Sequence, residues 1–98
     1  MEVNIKSVHF DATQRLQEHI QKKFDRMARR YDPSIVADVT LKIVKPETAM
    51  NKEVLVKVNI PGLGEQVASK TADSFEEAFD TALEAIDRQL DKAKKIKA

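Results

Sequence analysis

Residues 73–97, DSFEEAFDTALEAIDRQLDKAKKIK, carry Phe75, Phe79, Ile86 and Leu90 at helical spacings, with Ala78, Ala82 and Ala93 between them. Apolar residues three, four and seven apart line one side of a 3.6-residue helix, so the segment predicts a long amphipathic helix that packs its stripe on another layer. The polar side is divided by charge. Asp73, Glu76, Glu77, Asp80, Glu84 and Asp87 come first, followed by Arg88, Lys92, Lys94, Lys95 and Lys97 with only Asp91 opposing them. Acids at the start and bases at the end both suit the helix dipole, at roughly 0.3–1 kcal/mol per well-placed charge. Five bases exceed what one last turn needs, and they offer a cationic end to an anionic partner.

The layer that covers this helix is legible upstream. Glu2 to Lys6 alternates, with Val3 and Ile5 on one side, as a strand covered on one face does. Val39, Leu41 and Ile43 alternate within Ile35 to Lys45, and Val54, Val56, Val58 and Ile60 within Lys52 to Ile60; these are the strongest strand signals. Pro61-Gly62 with Gly64 forms a turn, and Glu65 to Thr71 is a weaker strand carrying Val67. The connection around Met50 is long and polar for a hairpin. Between the first two strands, Leu16, Ile20, Phe24, Met27 and Tyr31 repeat every three or four residues, giving a helix of about five turns. Asp11 with Gln14 three residues on is a capping-box candidate and Thr13 the alternative cap, while Pro33 ends the helix. The order β-α-β-β-β-α, with one apolar face per element, predicts an α+β two-layer sandwich with both helices on one face of a four-stranded sheet.

The chain has 98 residues, 42% of them hydrophobic and 34% charged, with a net charge of +1. This is the size of one small folded domain, expected to span residues 1–98. The near-neutral total makes charge placement more informative than charge sum. No apolar run approaches the roughly 20 residues that span a bilayer, and the N-terminus lacks the pattern of a secretory signal. Absence of cysteine removes disulfides, thiol nucleophiles and thiolate metal sites. A cytoplasmic location is the expectation.

Catalytic chemistry is sparse. His9 and His19 are the sole histidines; His9 reads as a turn residue, with a partner contact as the alternative, and His19 as a partly buried structural imidazole or a solvent-facing edge residue beside the apolar stripe of the first helix. Glu76, Asp80 and Glu84 are spaced four apart, which can present two carboxylates to a cation but is equally an ordinary charged face with no further ligand evident. Pro61-Gly62-Leu63-Gly64 lacks the lysine and hydroxyl of a phosphate loop. Neither a cofactor, a metal nor an enzyme activity is expected.

Nucleic-acid binding has more support. Gln14 to Arg30 holds six bases (Arg15, Lys22, Lys23, Arg26, Arg29, Arg30) against Glu18 and Asp25. Lys22, Arg26, Arg29 and Arg30 share about one face. Joined to the C-terminal cluster they form a candidate phosphate-contacting surface, against the plainer alternative of a solvated helix face. Phe10, Phe24, Phe75 and Phe79 fit core packing better than base stacking, leaving Tyr31 as the aromatic candidate for a partner contact. Such a surface reads RNA through phosphate and shape.

Thr71-Ala72-Asp73-Ser74-Phe75-Glu76-Glu77-Ala78-Phe79-Asp80 and Asp87-Arg88-Gln89-Leu90-Asp91-Lys92-Ala93-Lys94 resemble the C-terminal helix of the short bacterial ribosome hibernation factors, the sigma-54 modulation protein family. Lys23-Phe24 and Val39-Thr40-Leu41-Lys42-Ile43 add to the resemblance, which covers essentially the whole chain. It implies the same β-α-β-β-β-α fold. It also implies a stress-response translation inhibitor that occupies the mRNA and tRNA channel of the small ribosomal subunit and blocks it sterically. The implied 16S rRNA contacts are Lys22, Lys23, Arg26, Arg29 and Arg30 with Arg88, Lys92, Lys94 and Lys95, and Tyr31 against sugar or base. Long family members add a C-terminal dimerisation domain, and this chain is expected to end before one. Ala85 and Asp91 depart from the resemblance, standing where bases are common. The residues themselves leave open a generic structured-RNA module, or a protein-interaction module forming a weak homodimer through the sheet's exposed side near Leu55.

Overall fold

The computed structural model describes residues 1–8, 10–44 and 49–97, the last two as backbone. His9, and the Lys45 end of the expected second strand, lie outside the described residues. The elements are β1 (Glu2–Ser7), α1 (Gln14–Arg30), β2 (Val36–Ile43), β3 (Lys52–Ile60), β4 (Gly64–Ala72) and α2 (Phe75–Lys97). The sheet order is β1-β2-β3-β4. β1 and β2 are parallel and joined through α1, whereas β2, β3 and β4 form an antiparallel meander. This is the α+β sandwich that the periodicities predict.

Register decides which side chains reach the helices. Val39 lies between Ile5 and Val56, and Val56 faces Ala68, so one row of small and branched residues crosses all four strands. Val54, Val56, Val58 and Ile60 are at most 1% exposed. Full burial of such a side chain stabilises the fold by about 1.5–3 kcal/mol. Above this row sit Leu16, Ile20, Phe24 and Met27 of α1 and Ala78, Phe79, Ala82, Ile86 and Leu90 of α2, all buried. Phe24 and Phe79 meet edge to face at 5.5 Å between ring centroids and bind the two helices together.

Several local readings change. Thr13, not Asp11, caps α1: its hydroxyl accepts the Leu16 N–H at 3.1 Å. Ser74 does the same for the Glu77 N–H of α2 at 3.1 Å. Val67, the apolar residue that marks β4 in the sequence, is 42% exposed on the uncovered face, because pairing of Val56 with Ala68 turns Ala68 and Ala72 inward instead. Phe75 is only half-buried and stacks on Phe10 at 5.0 Å. Leu83, outside the predicted stripe, is buried between the helices.

Candidate nucleic-acid interface

The two helices run parallel. His19 meets Asp80, and eleven residues further along each helix Arg30 meets Asp91, so one sequence offset of 61 holds over three turns. The C-terminal ends of both helices therefore lie at the same end of the molecule. α2 continues past the α1 terminus from Lys92 to Lys97, about 9 Å at 1.5 Å per residue. Exposed Arg88, Lys92, Lys94 and Lys95 occupy that end and overhang. On α1, exposed Lys22 and Arg29 stand on the solvent side, while Lys23, Arg26 and Arg30 line the interhelical groove. Arg26, Arg29 and Arg30 of α1 and the cations of α2 are thus brought to one end, while Lys22 and Lys23 lie nearer the middle of α1.

The groove, about 410 Å³, has walls of opposite charge. Lys23, Arg26 and Arg30 form the α1 wall, Asp80, Glu84 and Asp87 the α2 wall, and Met27 and Leu83 the floor. At its C-terminal end four side chains are joined. The Arg30 guanidinium donates to Asp91 at 3.3 Å and lies 4.0 Å from Asp87. The Tyr31 hydroxyl donates to the Asp91 carboxylate at 3.0 Å and reaches Asp87 at 3.5 Å. Arg30 also covers the Tyr31 ring, 5.2 Å from its centroid. Partial burial, the Asp91 acceptor and the charge of Asp87 push the Tyr31 phenol up to about 12. Burial also raises the Asp87 carboxyl, against the opposing pull of Arg30.

This cluster revises two expectations. Asp91 is more than a missing base, since it anchors Tyr31 and engages Arg30. Arg30, counted with the candidate phosphate contacts, is 57% exposed and already engaged by Asp91. Neither pairing is visible in the sequence, because partners 60 residues apart share no periodicity; the spacing of Asp87 and Asp91, four apart beside the basic run, is the one signal that marks them.

The other titratable contact is His19, whose Nε2 is 2.7 Å from Asp80 Oδ1 and whose ring meets Phe79 edge to face. Among the described residues it is bonded to Asp80 alone, and the pair ties the two helices together. No cluster of three metal-ligating side chains occurs among the described residues. None of the described helices is long and apolar enough to cross a membrane.

A four-stranded sheet bearing two parallel helices with converging basic ends defines a class of compact α+β modules. The chain belongs to the Sigma 54 modulation protein / S30EA ribosomal protein family, whose sequence profile matches residues 3–97. It is 32% identical over 94 residues to the ribosome hibernation promoting factor of Pseudomonas putida, covering 96% of this chain and 87% of that protein. Identity to the ribosome hibernation promotion factor of Bacillus subtilis is 28% over 95 residues, and the chain spans about half (49%) of that longer protein. In fold it is similar to a ribosomal subunit interface protein from Coxiella burnetii, with TM-score 0.78, 22% identity and coverage of 97% and 99% of the two chains. The N-terminal domain of Thermus thermophilus Protein Y gives a TM-score of 0.74 at 21% identity, with coverage of 98% and 99%.

Proposed function

We propose that this chain is a single-domain, ribosome-associated translation inhibitor that acts in the cytoplasm by occupying the mRNA and tRNA channel of the small subunit. The observation that carries the reading is the parallel packing of α1 and α2, which sets two basic helix ends side by side. Family membership and the names of its relatives support a ribosomal partner. In this reading Lys22, Lys23, Arg26 and Arg29 with Arg88, Lys92, Lys94 and Lys95 contact 16S rRNA phosphates. Phosphate contacts position a protein without reading bases, which suits an occluding plug. Arg30 and Tyr31 contribute less than these cations, being held by Asp87 and Asp91.

The test is binding of the purified chain to purified small subunits across a salt series, beside an unrelated RNA duplex, with initiator tRNA as competitor. Tight, subunit-selective and tRNA-competed binding is the expected result. Equal affinity for any RNA would instead favour a generic RNA module. Replacing Arg26 and Arg29 together by alanine is expected to weaken binding and to lower the slope of log K against log salt by about 0.7–0.9 per lost contact. R30A alone is expected to change it much less, and equal effects would refute this assignment.

A further inference from the structure

The acidic wall of the interhelical groove faces the very cations that would meet RNA, an arrangement that needs a reason beyond helix-dipole matching. Lys23, Arg26 and Arg30 alone would make the groove a trough for any nucleic-acid strand. Asp80, Glu84 and Asp87 line its opposite side along the same length. A strand laid lengthwise would bring its phosphates against three carboxylates. RNA reaching the helix ends from outside meets the overhanging Lys92, Lys94 and Lys95 first, and the solvent row of Lys22 and Arg29. Glu84 is eight residues before Lys92, about 12 Å along the axis and beyond the roughly 8 Å screening length at physiological salt, whereas Asp87, five residues or about 7.5 Å before Lys92, lies just within it.

We propose that Asp80, Glu84 and Asp87 are specificity-determining residues that keep nucleic acid from lying lengthwise in the groove, so that RNA reaches Lys23 and Arg26 only from the groove's outer rim and otherwise approaches over the solvent row of α1 and the C-terminal helix ends. The inference rests on the ribosomal reading for the identity of the favoured RNA, but the repulsion itself does not. Discrimination of this kind comes from penalising the wrong partner by like-charge contact, without improving contacts to the right one.

The experiment compares the full chain with D80N/E84Q/D87N and with E84Q alone, each titrated into an RNA duplex of arbitrary sequence and into purified small subunits. Glu84 is exposed and makes no hydrogen bond or ion pair among the described residues, so E84Q reads charge without touching the His19 or Tyr31 contacts. Loss of each carboxylate is expected to tighten duplex binding about two- to threefold, roughly eight- to twenty-sevenfold for three, while subunit affinity moves by less than the duplex gain in each variant. Selectivity for subunits would then fall. Unchanged duplex affinity in E84Q, an equal gain on both RNAs, or a loss on both overturns the proposal. Failure of the unaltered chain to bind subunits overturns the ribosomal reading instead, and the duplex titrations still decide whether the wall repels.

Discussion

Tyr31 is the only tyrosine in a chain without tryptophan, so its ionisation can be followed directly by tyrosinate absorbance. The structure holds the phenol at about 12, against an ordinary value of 10.0, through burial first and then the hydrogen bond to Asp91. The neutral phenol is therefore the form favoured by folding. Its contribution to stability is fully present below pH 10 and is lost as pH rises from about 10 through about 12. Asp91→Asn removes a charge and weakens the acceptor, leaving burial and Asp87 in place. One pKa unit corresponds to about 1.4 kcal/mol of differential interaction, and a partly exposed hydrogen bond to a carboxylate is worth roughly that, so the variant should titrate about one unit lower. Far-UV circular dichroism recorded alongside separates ionisation of the folded chain from alkaline unfolding. A folded, unaltered protein whose tyrosinate appears near pH 10, or a D91N variant with an unchanged midpoint, would refute the cluster as described.

Leu90→Ala, at a position with no solvent exposure, should cost about 2–5 kcal/mol in denaturant unfolding; a loss below 1 kcal/mol would contradict its packing between α2 and the sheet. Ser74→Ala removes the acceptor for the Glu77 N–H and should cost about 1 kcal/mol, with Ser74→Asp close to neutral. Gly64 has φ +84 with open space around its missing Cβ, so Gly64→Ala should lose about 1–2 kcal/mol from backbone conformation alone, measured as a lower midpoint with an unchanged m-value. Asp87→Asn should remove a gain in stability on acidification and so steepen the acid limb measured by denaturant unfolding, since a carboxyl raised by burial destabilises the fold when ionised and that penalty is relieved as pH falls through its folded pKa.

Fold was legible where one periodicity answered one burial requirement. The alternation from Val54 to Ile60 and the stripe from Phe79 to Leu90 each had a single covered side, and both proved buried. β4 was harder because its inward residues are alanines, which carry little hydrophobic contrast, while its most apolar residue faces outward; pairing with β3, not local pattern, fixes that strand. Leu83 was missed for a related reason. It fills the seam between helices, and the width of a stripe depends on how closely a neighbouring helix approaches. The cations of the site could be named from composition, but not sorted. Helical spacing places Arg30 beside Arg26, yet only the approach of α2 shows that, among the described residues, Arg30 is paired with carboxylates and Arg26 is not.

That sorting bears on how a domain with a net charge of +1 can present a surface to RNA at all. Parallel helices align their dipoles, so both negative C-terminal ends sit together and favour the bases gathered there. The same alignment runs the acids of α2 along the bases of α1, which neutralises the groove and ties the helices through His19 with Asp80 and Arg30 with Asp91. Part of the charge that stabilises the helix pair is thereby withdrawn from solvent-facing contacts, and the residues beyond or outside the groove keep the least opposed positive field. Asp91 stands at the boundary of the two roles. It holds Tyr31 and Arg30 in the fold, and in the proposed function it does so beside the phosphates that Lys92 and Lys94 would meet. Its replacement by asparagine should therefore move folding and RNA affinity in opposite directions, lowering the first and raising the second.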